Sequence, residues 1–283
     1  MSTSSSSGGA AGPAVLPVTV VIPVRNAANW LPECLASVLA QLPAEVIVVD
    51  GASTDHTAEI ARAAGARVLS DGGRGVPAAR MLGARAAQHT VLALIDADVV
   101  LPDGALAALL GEFEAGRFDG LQFALKSESV PGDYWGQALA WHHNHSRVRS
   151  WFGVCATLIR KDLLLAAGFD ESFRSGEDIE LRIRLEQAGA RLGVSTTTTV
   201  RHRFAGGFAS AKDQWVQDGA GLARTAVKHR SRAAKVVVLP LLATVRGAGL
   251  ALLSAPRFLP YWAGFLTYNY QAMLAQWLRL TCR

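Results

Sequence analysis

Short, almost unbroken apolar runs punctuate the first hundred residues, at 18–24, 45–49 and 91–95, and each gives way to polar or acidic residues. Runs of this length without polar alternation predict strands covered on both faces, as in a parallel sheet. Pro23 lacks the amide that a central ladder needs, so it marks the end of the first strand, and Arg25 and Asn26 open a loop. The second run leads into Asp50-Gly51-Ala52-Ser53-Thr54-Asp55, a small-residue turn suited to capping a helix over 57–64. A short strand at 67–69 and a helix after the glycine-rich stretch 73–78 continue the alternation to Asp98. Right-handed crossovers then put Asp50 and Asp96 on one rim of an α/β sheet, the rim where such folds collect ligands.

Later in the chain the pattern predicts a strand at 153–159, a helix at 160–167, a turn at Gly168-Phe169-Asp170-Glu171 and a strand at 197–200. Residues 179–185 alternate apolar and charged positions like a half-buried strand. Good helix formers, the Glu180 to Arg184 spacing and Gly189 as a stop nevertheless predict a helix. From Val236 onward apolar residues dominate. Residues 236–255 are long enough to cross a bilayer, but Arg246 at the centre costs about 2.5 to 3.5 kcal/mol on insertion scales, and Pro240, Gly247 and Gly249 interrupt the run. Leu266, Tyr270, Met273, Trp277 and Leu280 then recur at helical spacing with Asn269, Gln276 and Arg279 off the stripe, which predicts a helix lying in a membrane interface. Packing of these helices on the catalytic domain, or in an oligomer, is the competing expectation. The chain thus divides into a leader at 1–17, a catalytic domain at 18–205, a basic connecting segment at 206–235 and an apolar helical tail at 236–283.

Asp96 and Asp98 close the third apolar run, and two carboxylates at the exit of a buried strand predict a divalent cation, Mn²⁺ or Mg²⁺, shared with a phosphate-bearing substrate. The alternative is a plain helix start, with Asp103 and Gly104 capping the next helix. Ser175-Gly176-Glu177-Asp178 likewise fits a capping box, which would occupy Asp178 with a backbone amide. Gly73-Arg74-Gly75-Val76-Pro77-Ala78 matches the dinucleotide fingerprint, with Asp96 near the offset of its ribose carboxylate, and admits an NAD(P)-dependent oxidoreductase. Against that reading, the preceding strand is short, ends in polar residues and is not the first of the sheet.

Taken in order, Ile22-Pro23-Val24-Arg25-Asn26, the stretch from Val48 to Asp55, Ala79-Arg80 and Asp96-Ala97-Asp98 resemble the family 2 nucleotide-sugar glycosyltransferases, which have the GT-A fold, over residues 18–202. The resemblance implies an inverting transfer of a sugar from a nucleoside diphosphate donor to an acceptor hydroxyl. It assigns the nucleotide to the first-strand loop with Pro23 and Arg25, to Asp50 and to nearby Arg80, the ribose to Asp96, and the metal to Asp98 and His202. Asp178 becomes the base that takes the acceptor proton as oxygen attacks the anomeric carbon. An imidazole ligand would favour Mn²⁺ over Mg²⁺. The other reading of His202 is a surface histidine between Arg201 and Arg203, arginines that suit diphosphate oxygens equally well. Gly51 and Ala27 depart from the commonest pattern, in which acidic residues occupy both places, and leave the nucleotide open. His142, His143 and His145 have no acidic or cysteine partner close in sequence and are expected as polar residues near the acceptor. A non-catalytic nucleotide-sugar binding protein would keep Asp96 and Asp98 but tolerate loss of Asp178.

Composition adds a membrane to this picture. The 283 residues suffice for one large α/β core and an appendage, half of them are hydrophobic, and the mean hydropathy of +0.22 owes much to the tail. Residues 1–17, rich in Ser, Gly, Ala and Pro, have neither a basic start nor an apolar core, which predicts a disordered leader and not a signal peptide. Cys34, Cys155 and Cys282 are odd in number and lack metal spacing, as expected in a reducing cytoplasm. The net charge of +5 is concentrated at Arg224, Lys228, His229, Arg230, Arg232 and Lys235, just before the apolar tail. That placement favours anionic headgroups, while nucleic acid is disfavoured because no aromatic-rich groove adjoins the charge. The expected location is the cytoplasmic face of the cell membrane, peripheral or monotopic, with a glycan, lipid-linked or small-molecule acceptor.

Overall fold

The computed structural model describes residues 14–145, 152–173 and 175–282; most of the expected leader lies outside them, and the first strand already begins at Leu16. Among the described residues the strands are β1 (Leu16–Val24), β2 (Pro43–Asp50), β3 (Arg67–Ser70), β4 (Val91–Ile95), β5 (Val99–Val100), β6 (Gly120–Ser129), β7 (Ala156–Arg160) and β8 (Leu192–Phe204). They form one sheet in the order β3-β2-β1-β4-β7-β6-β8-β5. The first four are parallel, as the apolar runs predict, with α1 (Leu31–Leu39), α2 (Thr57–Ala63) and α3 (Val76–Ala86) in the crossovers. Alternate side chains of β1 feed two cores: Val18, Val20 and Ile22 join one with Leu31, Leu35 and α4 (Ala105–Ala115), while Val21 joins another with Ala79, Met81 and Leu181. Asp103 does not cap α4, whose N-cap is Gly104 in the left-handed region.

The other half of the sheet is mixed. β7 lies antiparallel between β4 and β6, β6 runs parallel to β8, and β5 pairs antiparallel with β8. The strand expected at 197–200 is the middle of a longer one, β8, whose register against β6 shifts between Gln122 and Ala124. Ser195 holds this irregularity: its hydroxyl donates to Glu112 at 2.6 Å and accepts from the amides of Thr197 and Thr198 at 3.2 and 2.9 Å. The helix expected at 160–167 is α6 (Lys161–Ala167), and the ambiguous stretch after Asp178 is helical, as α7 (Glu177–Gln187), with Glu180 and Arg184 paired at 2.7 Å and Gly189 at φ 80° just beyond its end.

The segment expected as a connector is largely α8 (Phe208–Lys228), followed by α9 (Ala233–Ser254) and α10 (Leu259–Thr281). With α5 (Tyr134–His145) they enclose an aromatic core of Trp215, Tyr261, Trp262 and Phe265. Tyr261 accepts from Trp215 Nε1 at 3.3 Å and lies 2.8 Å from His142 Nδ1. One expectation is overturned here. Asn269 and Gln276, set off the apolar stripe of α10, are buried with Met273, whereas Leu274, Trp277 and Leu278 are exposed. The reason is a close helix crossing: Gly219 of α8 admits the α10 backbone at Asn269, whose side-chain amide donates to the Phe265 carbonyl at 2.9 Å. The inner face of α10 therefore packs on α8. On α9, by contrast, Leu241, Leu242, Val245, Leu252 and Leu253 face outward. Among the described residues one helix, Arg230–Ser254, is long and apolar enough to cross a membrane by length and composition.

A Cβ at position 219 would collide with the Asn269 carbonyl oxygen and approach its Cα to 2.9 Å. Gly219→Val is expected to part α8 and α10 and to lower unfolding free energy by about 1 to 3 kcal/mol or more in urea denaturation. Gly111→Ala, in open space on α4, should instead gain about 0.5 to 1 kcal/mol.

Candidate active site

The tips of β1 and β2 are bound to each other by backbone and side-chain hydrogen bonds. The Gly51 amide donates to the Val24 carbonyl at 2.8 Å, and a Cβ at 51 would stand 3.2 Å from that oxygen and 3.4 Å from Arg25 Cβ. This tight approach accounts for glycine where an acidic residue is frequent. Asn26, at φ 49°, donates its amide to Ser53 Oγ and accepts from the Thr54 amide, both at 2.8 Å. Asp55, one residue before the α2 N-cap His56, accepts from the Thr57 amide at 3.0 Å, and His56 itself makes no side-chain cap. Asp50 is buried at the end of β2 and accepts from the Ser53 amide at 3.2 and 3.3 Å.

Asp71 was not singled out from sequence, yet it shapes the glycine loop. Its carboxylate accepts from the Gly73 and Gly75 amides at 2.8 and 3.0 Å, and its own amide donates to the Asp50 carbonyl at 3.1 Å. Gly72, Gly73 and Gly75 take φ of 65°, 81° and 104°, a region closed to most side chains. An aspartate two residues before one glycine and four before another is the sequence signal for such a loop. The loop, Pro23, Arg25, Gly51 and Phe173 line a cleft of about 310 Å³. Arg74 reaches Glu171 at 2.7 Å on the cleft wall. Because the loop follows the edge strand β3, it does not occupy the central turn that a dinucleotide fold requires.

Beside the cleft lies a buried charge bridge. Arg80, on α3 and only 3% exposed, donates to Asp96 at 2.7 Å and to Glu177 at 2.9 Å, while its Nε is buried with no hydrogen-bond partner. The sequence placed Arg80 near the nucleotide; the structure commits its guanidinium to Asp96 and Glu177. Burial pushes the Asp96 carboxyl up to about 6 and the Asp98 charge adds to the rise, against the opposing pull of Arg80. Asp178 follows Glu177 in the first turn of α7, where the helix dipole favours a carboxylate, and accepts from the Ile179 amide at 2.8 Å. The capping box does not form: the N-cap is Gly176 at φ 74°, and no side chain caps the helix. A Cβ on Gly176 would stand 3.0 Å from Gly221 Cα, so this helix start rests directly on α8.

Asp98 and His202 come together through the pairing of Val99 with His202 and Val100 with Arg201. His202 Nε2 lies 3.6 Å from Asp98 Oδ2, beyond hydrogen-bond reach, and both Asp98 Oδ1 and His202 Nδ1 are buried without partners. A carboxylate oxygen and an imidazole nitrogen facing each other beyond hydrogen-bond distance can both offer lone pairs to a cation completed by a substrate's phosphates. Among the described residues no three His, Cys, Asp or Glu side chains form a metal cluster by themselves. His202 is thus not a surface histidine, and its neighbours serve the loop. Arg203 donates to the carbonyls of Trp30, Ala97 and Asp98 at 2.9 to 3.3 Å, and Arg201 pairs with Glu33 and Glu128, each at 3.1 Å. His143 lies with its ring 6.4 Å from that of His202, His142 belongs to the aromatic core, and His145 lies 3.0 Å from the Trp141 carbonyl.

A model of glycosyl transferase family 2 matches residues 19–168. The sequence is 30% identical over 255 residues to the pre-mycofactocin glycosyltransferase of Mycobacterium tuberculosis strain H37Rv, covering 80% of this chain and 51% of that one, so the chain spans about half the length of this relative. It is 29% identical over 243 residues to the succinoglycan biosynthesis protein ExoA of Rhizobium meliloti, covering 78% of this chain and 74% of ExoA. The fold is similar to that of the mannosyltransferase PcManGT from Pyrobaculum calidifontis, solved with GDP-Man and Mn²⁺, with a TM-score of 0.65 at 18% identity over 94% of this chain and 89% of that one. The expected GT-A architecture is thereby shown.

Removing the Arg80 cation would leave the partly buried Asp96 and Glu177 carboxylates facing each other without compensation. Arg80→Met is expected to cost about 3 to 5 kcal/mol in equilibrium unfolding, and adding Glu177→Gln should restore part of the loss.

Proposed function

Since the chain belongs to the family 2 glycosyltransferases, we propose that it transfers a sugar, with inversion, from a nucleoside diphosphate donor to an acceptor hydroxyl with the aid of a divalent cation held by Asp98 and His202. The observation that supports this reading is the approach of His202 Nε2 to Asp98 Oδ2 at 3.6 Å, which strand pairing brings about between distant parts of the chain. Mn²⁺ or Mg²⁺ bound there supplies positive charge against the departing diphosphate. The crystallised PcManGT holds Mn²⁺, which supports the same class of ion here. Oxidoreduction is not favoured, because the glycine loop stands on an edge strand.

The residues divide the task as follows. Pro23 and Arg25 line the cleft that receives the nucleotide base, and Asp50 holds the turn at its floor through Ser53. Asp96, oriented by Arg80, accepts from a ribose hydroxyl. Asp178 takes the acceptor proton while the acceptor oxygen bonds to the anomeric carbon and the bond from that carbon to the diphosphate breaks, which inverts the centre in one displacement. The apolar outer face of α9 supports a membrane-surface location, on the cytoplasmic side, and with it a lipid-linked acceptor alongside glycan or small-molecule ones.

Two substitutions separate these roles. Asp98→Asn should abolish the increase in nucleoside diphosphate affinity that Mn²⁺ confers, read by calorimetry, while the fold persists; equal affinity with and without chelator in the unaltered protein would remove the metal from the account. Asp178→Asn keeps an oxygen for the Ile179 amide but loses the basic carboxylate, so transfer should fall by about 10² to 10⁴ with donor affinity retained. Near-normal transfer in that variant would assign the base elsewhere. A protein that binds donor but transfers nothing under any condition would be the non-catalytic binder.

A further inference from the structure

A second cavity lies outside the donor cleft, between α8, α9 and the end of α10. It is a groove of about 550 Å³, within the range of ligand-binding pockets. Ala226, Ala233, Val237, Met273, Leu274 and Trp277 supply an almost wholly hydrocarbon wall. The hydroxyls on its lining are already spent: Tyr270 donates to the Val237 carbonyl and Thr281 to the Trp277 carbonyl, each at 2.9 Å. What remains is Arg230, exposed on the lining, with no hydrogen bond or ion pair among the described residues. The neighbouring basic residues differ in this respect, since Lys228 is held by Asp170 and Glu180, and Arg232 by Glu186. Lys235, also exposed, has no such partner among the described residues. Outside the groove Val238, Leu241, Leu242 and Leu278 extend the apolar surface to solvent.

We infer that this groove takes a hydrocarbon chain of an anionic phospholipid from a bilayer, with the lipid phosphate on Arg230. A dry apolar slot with an unspent cation at its edge complements a molecule that is hydrocarbon along its length and anionic at one end. Exposed α9 side chains beside it enter the acyl boundary while the cations meet the headgroups. The docking stands independently of the transfer chemistry, but it bears on the proposed site. Ile179, next to Asp178, packs into the same cluster as Ala226, Val236 and Met273, so an occupied groove lies behind the helix that carries the proposed base.

The test is co-sedimentation of the full chain with phosphatidylcholine vesicles and with vesicles that also contain phosphatidylglycerol. Binding should require phosphatidylglycerol and weaken with salt, and Arg230→Glu should reduce it about thirtyfold, from a contribution on the order of 1 kcal/mol per basic residue, doubled by charge reversal. Ala233→Trp, which fills the groove from its partly exposed edge, should abolish most binding, whereas Leu253→Asp, at the far end of α9, should change it little. No binding to either vesicle, or loss only in Leu253→Asp, would overturn the inference. So would a dimer in light scattering that Ala233→Trp dissociates, because a second copy would then fill the groove. Nucleoside diphosphate binding with Mn²⁺, measured on the same proteins, should persist in all three variants. In the unaltered protein, nucleotide binding without vesicle binding sinks the groove alone, and vesicle binding without nucleotide binding sinks the proposed function alone.

Discussion

Two backbone pairings, Val99 with His202 and Val100 with Arg201, return the long strand β8 to the rim where β4 ends, and the candidate metal site exists only because of them. β8 reaches that rim by the irregularity that Ser195 and Glu112 hold in place. Arg203 then secures the Asp96–Asp98 loop by donating its guanidinium to the Ala97 and Asp98 carbonyls and to that of Trp30 just before α1. The ion pairs of Arg201 and Arg203 with Glu33 are half exposed and contribute little to stability one by one. Their consequence is positional, because they fix the loop bearing Asp98 to the start of α1 and to β8 together.

Arg80 links the parallel half of the molecule to the rest. It joins Asp96 at the end of β4 to Glu177 at the start of α7, so the proposed ribose contact and the proposed base move as one unit. Burying the Arg80 guanidinium with an unpartnered Nε between two partly buried carboxylates is costly, and a hydrophobic replacement of all three would be no less stable on general grounds. Such a bridge is better understood as fixing geometry than as supplying stability. Gly176 against Gly221 extends the same chain of contacts to α8, and Gly219 against Asn269 carries it to α10.

The parallel strands, the helix after Asp178 and the rim holding Asp50 and Asp96 were legible because each depends on local pattern: unbroken apolar runs, i,i+4 charges and a glycine stop. The meeting of Asp98 with His202 depends on strand pairing between remote segments, which no local pattern encodes, and only the family resemblance pointed to it. Arg80 was singled out through the resemblance, but nothing in Ala79-Arg80 tells that the guanidinium turns inward toward two carboxylates. Asp71 and Glu33 escaped notice, and Arg203 was read only as suited to diphosphate oxygens, because their partners are backbone or side chains across the fold. The α10 face was misjudged for a related reason. Polar residues normally mark the solvent side of a helix, but Asn269 satisfies its amide on the Phe265 carbonyl and sits where a glycine on α8 brings the backbones close.

The proposed function depends most on Asp98 and His202 binding one cation together with the diphosphate. Pulsed electron paramagnetic resonance of Mn²⁺ bound with a nucleoside diphosphate reads this directly, because a coordinated imidazole imprints its nitrogen on the electron spin-echo. The account predicts such a nitrogen modulation in the unaltered protein and its disappearance in His202→Gln, with Mn²⁺ still bound through Asp98 and the phosphates. A Mn²⁺ signal without imidazole nitrogen in the unaltered protein, or one that persists in His202→Gln, would contradict it.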